Sequence, residues 1–194
     1  MPSIRNKQTE DDLLDAARAC ILATGWTRTT LTDVARRAGV SRMTIYRTWP
    51  DMQTLLADLM TREWAGVVTE AAAAESGAAA PARVGRGVVR TIATLRGNEL
   101  FRKIVDVDPE LLLPYLLQRR GRSQEGILDL LVPVIEEGQA AGTVRAGDPA
   151  LLARAVLLAA HGFTLSADTM ADAGVSVAAL DGELRALLEG YLAP

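Results

Sequence analysis

Seven side chains between residues 30 and 47 have types and spacing that suit one chemistry: Thr30, Ser41, Arg42, Met43, Thr44, Tyr46 and Arg47. They are alcohols, guanidiniums and a thioether. A guanidinium fork can hold guanine O6 and N7, a methionine can touch a thymine methyl, and hydroxyls at the rims suit phosphate oxygens. On a helix turning about 100° per residue with Ile45 inward, Met43 and Arg47 point away from the protein. Thr44 and Tyr46 then lie on the flanks. Such a face reads a nucleic-acid groove. The plainer alternative is a helical hairpin with a solvated outer side.

The stretch that must position this face is Leu31 to Trp49, LTDVARRAGVSRMTIYRTW. It reads as two short helices and a tight turn. Val34, Ala35 and Ala38 share one side of the first helix, and Gly39 supplies the left-handed backbone that ends it. Val40 plugs the corner. Ser41 is placed to cap the second helix, and Ile45 returns the apolar stripe toward the first. The small Ala35 lets the two approach closely.

The run TTLTDVARRAGVSRMTIYRTWPDMQTLL, Thr29 to Leu56, resembles the N-terminal DNA-binding domain of TetR-type bacterial transcriptional regulators. Ala35, Gly39, Val40, Ser41, Thr44, Tyr46 and the aromatic Trp49 carry the likeness, over about the first third of the chain. The resemblance implies a homodimeric all-α repressor with a ligand pocket in its C-terminal part. By that likeness Thr30, Thr44 and Tyr46 contact phosphates, and Arg42, Met43 and Arg47 supply base-edge or further backbone contacts. Two positions depart from the family pattern. A phosphate-contacting lysine usual early in the next helix is Met52 here, and the usual His-Phe pair is Thr48-Trp49.

Composition sets wider bounds. In 194 residues, 49% are hydrophobic but only 4% aromatic, so the core must be built from Leu, Val, Ile and Ala, which suit packed helices. One cysteine and one histidine give no internal disulfide and no zinc spacing. No glycine-rich phosphate loop or G-x-S-x-G elbow occurs, so no cofactor and no catalysis are expected. The longest apolar run, Leu151 to Leu165, is interrupted by Arg154 and His161 and falls short of the ~20 residues of a membrane span. We therefore expect a cytoplasmic protein. The net charge of −3 hides an asymmetry: residues 1–50 carry eight Lys/Arg against five Asp/Glu, a balance of +3, and the remainder is at −6. A basic N-terminal part would orient the protein on a polyanion.

Along the chain, residues 1–8 read as an unstructured arm with Arg5 and Lys7, and Thr9 with Asp12 as a capping-box start for the first helix. Leu13, Leu14, Ala17, Ile21 and Leu22 form its apolar side, Cys20 lies near it, and Gly25 ends it. Trp26 is a packing residue, and Thr30 is placed to cap the helix at Leu31. Pro50 and Asp51 begin a long helix through Val68. It is long enough to be shared by both parts of the chain. Alanine-rich residues 71–80 read as a frayed end and loop. Further helices are expected at about 82–96, 99–105, 109–119, 123–141, 149–169 and 177–192.

The expected architecture is all-α. A three-helix helix-turn-helix domain over 1–50 leads through a linking helix over 51–75 to a ligand-binding and dimerisation domain over 76–194. The last two helices, within 148–170 and 177–192, would pair with their copies in a second subunit, Gly162 and the alanines permitting close approach. Trp64, Phe101, Ile104, Tyr115, Leu116, His161 and Phe163 are candidates for lining an effector pocket, each with core packing as its simpler role. The expected partners are a double-stranded DNA operator, a second copy of the chain and a small-molecule effector. An adaptor that keeps the turn only as scaffold and binds protein is the alternative, with Met52 in its favour.

Overall fold

A computed structural model describes residues 4–75 and 77–194, with side chains from residue 9 onward. Every described α-helix or strand element is α-helical: α1 Ile4–Thr24, α2 Leu31–Arg37, α3 Arg42–Thr48, α4 Met52–Ala74, α5 Ala80–Gly97, α6 Glu99–Val107, α7 Leu113–Leu117, α8 Arg122–Ala140, α9 Pro149–Met170 and α10 Val177–Leu192. The chain forms two compact units. Met1–Glu63 and Gly97–Gly121 make the first; Trp64–Arg96 and Arg122–Pro194 make the second. The division falls inside α4 and assigns α6 and α7 to the first unit, so it runs differently from the segments 1–50, 51–75 and 76–194.

In the first unit the amphipathic pattern of α1 is realised. Leu13, Ala17 and Ile21 are fully buried, with Leu31, Val34, Ala35, Ile45, Leu55 and Leu59. Helix α6 joins this set because its own stripe, Leu100, Phe101 and Ile104, is buried on the side that meets α1. Asn98 starts it, accepting N–H bonds from Leu100 and Phe101 at 2.9 and 3.0 Å.

Three expectations are corrected here. Helix α1 begins at Ile4, so residues 4–8 are helical and Thr9 lies inside the helix rather than capping it. Arg, Lys and Gln are good helix formers, and none of residues 4–8 breaks the run. The side chains of Arg5 and Lys7, and residues 1–3, lie outside the described residues. Pro50 stands outside α4, and Asp51 acts as the cap, its Oδ1 accepting the Thr54 N–H at 2.7 Å. The helix expected over 109–119 is a 3-10 turn, Pro109–Leu111, followed by α7. Pro114 has no N–H for an i−4 carbonyl, and it sits in the first turn of α7, where that N–H has no helical partner to lose.

The second unit packs Val84, Ile92, Ile135, Leu152, Ala153, Val156, Leu184, Leu188 and Leu192 into one core. Side-chain caps start the two last helices: Asp148 Oδ1 accepts from Ala150 N, with Pro149 opening α9, and Ser176 Oγ accepts from Ala179 N. Ion pairs tie α5 into the unit. Glu75, buried, receives Arg86 Nε at 2.6 Å and Arg90 Nη2 at 2.8 Å. Arg96 pairs with Asp181 of α10.

The apolar stretch expected to fall short of a membrane span is also corrected. Helix α9 has 22 residues and is long and apolar enough to cross a bilayer by length and composition. Its apolarity has another use, because Leu152, Ala153, Val156, Leu157 and Ala167 are buried and the helix packs on α8 and α10.

Candidate nucleic-acid interface

The turn between α2 and α3 is held by backbone bonds that the sequence dictates. Thr30 caps α2 reciprocally: Asp33 N–H donates to Thr30 Oγ1 at 3.2 Å, while Thr30 N–H and Oγ1 donate to Asp33 Oδ2 at 3.2 and 2.6 Å. Gly39 takes φ +69°, where a side chain would be strained, and Val40 N–H then reaches Ala35 O at 3.0 Å. Ser41 Oγ accepts from Thr44 N. At the far end Trp49, almost fully buried, donates Nε1–H to Asp58 at 2.7 Å, locking α3 to α4. The Thr48-Trp49 variant thus repacks the helix end with an added hydrogen bond.

With Ile45 fully buried, the opposite side of α3 faces solvent. Met43 is 83% exposed and Tyr46 50%, and Ser41, Arg42 and Arg47 are exposed beside them, with Thr44 half-exposed. The arrangement is that of a rod anchored on one side and chemically armed on the other. The hydroxyls are not equally available. Thr30 spends its only hydroxyl proton on Asp33, so toward a phosphate it can offer no O–H unless that bond breaks. Ser41 Oγ and Thr44 Oγ1 lie 2.9 Å apart. Whichever donates to the other, one of the pair keeps a proton to give outward. Arg36 is held by Asp33 at 2.6 Å, and Arg37 bonds the Cys20 side chain. Met52 is half-buried at the start of α4 and brings no charge to this face.

One buried carboxylate escapes sequence reasoning. Asp108, at the C-terminal cap of α6, is 2% exposed, and its Oδ2 accepts the Trp26 N–H at 2.8 Å while Oδ1 accepts the Thr27 N–H at 3.2 Å and the Thr27 hydroxyl. Gly25, at φ +87°, passes so close that a Cβ there would lie 3.2 Å from Asp108 Oδ2. Burial pushes the Asp108 carboxyl up, but the Thr27 hydroxyl, the two N–H groups and the Lys103 charge outweigh it, and the pKa falls below the ordinary value. A lone Asp before Pro109 signals a helix cap and nothing more, so only the fold shows what it receives. Burial raises the Cys20 pKa, with Arg37 opposing, consistent with a packed rather than reactive thiol.

The comparisons with known proteins agree with this geometry. The profile of bacterial regulatory proteins of the tetR family matches residues 13–59, from α1 into α4. An HTH-type transcriptional regulator of Mycobacterium bovis is 38% identical over 180 residues, covering 93% of this chain and 92% of that relative. The chain belongs to the TetR family. The same identity and coverage relate this TetR-family protein to an HTH-type transcriptional regulator of Mycobacterium tuberculosis. Among solved structures, the fatty acid degradation regulator FadR of Bacillus halodurans covers 94% of this chain and 95% of its own at TM-score 0.66 and 20% identity. The repressor QsdR of R. erythropolis covers 97% of both at TM-score 0.69 and 18% identity. These two speak for the fold: an N-terminal helix-turn-helix and a C-terminal helical part. The TetR-family protein is a DNA-binding transcriptional regulator, and the adaptor alternative is not favoured.

The seven candidates for an effector pocket divide between the units. In the first, Phe101 and Ile104 are buried on α6, Leu116 is exposed, and Tyr115 is half-buried with the Arg119 guanidinium 5.3 Å above its ring. In the second, Trp64 and His161 are half-buried, His161 Nε2 lies 3.3 Å from Gln124 Nε2, and Phe163 packs against the core. Burial lowers the His161 pKa, favouring the neutral ring.

Proposed function

We propose that this TetR-family regulator is a homodimeric repressor that reads an operator through the outward face of α3 and is released by a small molecule bound in its C-terminal part. The observation that carries the reading is the composition of that face. Arg47 and Met43 stand opposite the buried Ile45, where a helix seated in a major groove must place its base-reading groups. Tyr46, Arg42 and the outward hydroxyl of the Ser41–Thr44 pair serve phosphates, and Thr30 serves chiefly to hold α2 in place.

A twofold mate fits a second feature. Leu151 and Leu158 of α9 are 60% and 70% exposed, Leu187 of α10 is 60% exposed, and Ala186 and Gly190 share a shallow hollow with Leu187 and Tyr191. Apolar surface of this kind on two long helices is what a helix–helix interface between subunits covers. In such a dimer the α3 helices would have to lie about 34 to 36 Å apart to enter successive major grooves on one face of B-DNA. An effector that favours another spacing weakens binding, and a coupling of about 1 to 3 kcal/mol suffices for regulation. Within the second unit, His161, Phe163 and Trp64 are proposed to meet that effector.

The test is selection of duplexes from a random-sequence pool by the intact protein, then titration at several salt concentrations. Binding should be sequence-selective and weaken steeply with salt. Equal affinity of wild type and Arg47→Ala for the selected duplex would reject this face.

A further inference from the structure

Helix α6 is fastened to α1 and the corner that follows it at two points of unequal kind. At its N-terminal end Glu99, 75% exposed, meets Arg18 at 3.6 Å, a solvated pair that constrains little. At its C-terminal end the Asp108 carboxylate is buried and takes three donors from the two residues that follow Gly25. The corner carries further bonds of its own. Thr29 Oγ1 donates to Gly25 O at 2.7 Å, and Arg28 Nε donates to Thr24 O at 2.8 Å. Residue 29 immediately precedes the cap of α2, so the direction in which α2 leaves the corner is fixed by these bonds, and α3 follows through the Gly39 turn.

We propose that the Asp108 carboxylate is a positioning residue for DNA binding: by holding Trp26 and Thr27 it sets the α1–α2 corner, and through it the attitude of α2 and α3, against the end of α6. This rests on the DNA-reading role of α3. A carboxylate is required, because two N–H groups and a hydroxyl converge on two acceptor oxygens. The amide of Asn would turn an NH2 group toward one of these donors. Gly25 passes so close that a Cβ there would lie 3.2 Å from Asp108 Oδ2, so the corner sits tightly against the end of α6.

The test compares wild type, Asp108→Asn, Thr27→Val and Thr27→Ser on a duplex that the wild-type protein selects from a random-sequence pool, with amide hydrogen exchange measured on each. Asp108→Asn should bind about 10- to 100-fold more weakly, the size expected when a charged hydrogen-bond acceptor is lost. Thr27→Val should lose less, and Thr27→Ser, which keeps every donor, should bind like wild type. Exchange should quicken at Trp26 and Thr27 while the buried turns of α1, α2 and α3 stay protected. Asp108→Asn binding within about twofold of wild type would overturn the proposal, and so would lost affinity accompanied by lost protection throughout the first unit, which marks a merely structural role. If wild type selects no duplex, the α3 reading itself fails. If wild type selects and Asp108→Asn does not differ, only the Asp108 assignment fails.

Discussion

Two long-exposed surfaces of this molecule differ in kind. Helix α3 turns Arg42, Arg47, Tyr46 and Met43 to solvent, groups that can each make a directional or contact-specific bond. Helices α9 and α10 turn Leu151, Leu158, Leu187, Ala186 and Gly190 outward, groups that make none. Water solvates the first surface well and the second poorly. The first therefore gains from a partner only where that partner is electrostatically and geometrically matched, while the second gains from any close-packed apolar cover. Exposure alone does not separate the two; the chemistry of what is exposed does. In the proposed dimer one surface supplies specificity and the other holds the two copies at the spacing that makes specificity useful.

The largest effect should come from spoiling the apolar surface. Leu158→Asp paired with Leu187→Glu should give a monomer by sedimentation velocity and reduce binding to the selected duplex by about 100-fold or more, since half-site contacts no longer add. A dimer that survives both charges would break the comparison. Salt should sharpen it: raising ionic strength should weaken DNA binding steeply and leave the oligomeric state unchanged.

On the polar surface, Arg47→Ala should cost about 1 to 3 kcal/mol of discrimination at one base pair, read as relaxed preference in a selection experiment. Tyr46→Phe should weaken all sequences alike by about 0.5 to 1.5 kcal/mol, read by titration against selected and scrambled duplexes. Ser41→Ala should cost about 1 kcal/mol of stability through the lost cap, measured by urea unfolding, and it removes one of two candidate outward hydroxyls.

The smallest effects concern pH. The Asp108 pKa lies below its unfolded value of about 3.9, so its contribution is present above that value and is lost as pH falls through the folded one. Asp108→Asn should accordingly show a shallower loss of thermal stability below about pH 4 than wild type. The His161 pKa is lowered by burial, so the folded state resists a proton that the unfolded chain takes up. Stability should fall as pH drops below about 6.5, and His161→Gln should flatten that slope in thermal melts.

Local chemistry was legible in the sequence where a residue acts on neighbours within one turn. Thr30 and Ser41 cap the helices that follow them, Gly39 takes the left-handed turn, and Ile45 faces inward opposite Arg47. Those outcomes depend on helix periodicity, on backbone sterics and on hydrogen bonds that close over three or four residues. Helix ends were less legible where competing signals met, as at Thr9 and Pro114. What tertiary structure alone decided was long-range pairing. Asp108 could not be matched to Trp26 and Thr27 across about eighty residues, nor Arg96 to Asp181, nor α6 to α1, because side-chain type says what a group can bond and not which distant backbone will arrive beside it. Thr30 shows the same limit at short range: its hydroxyl suits a phosphate by type, and only the folded geometry shows its proton already given to Asp33.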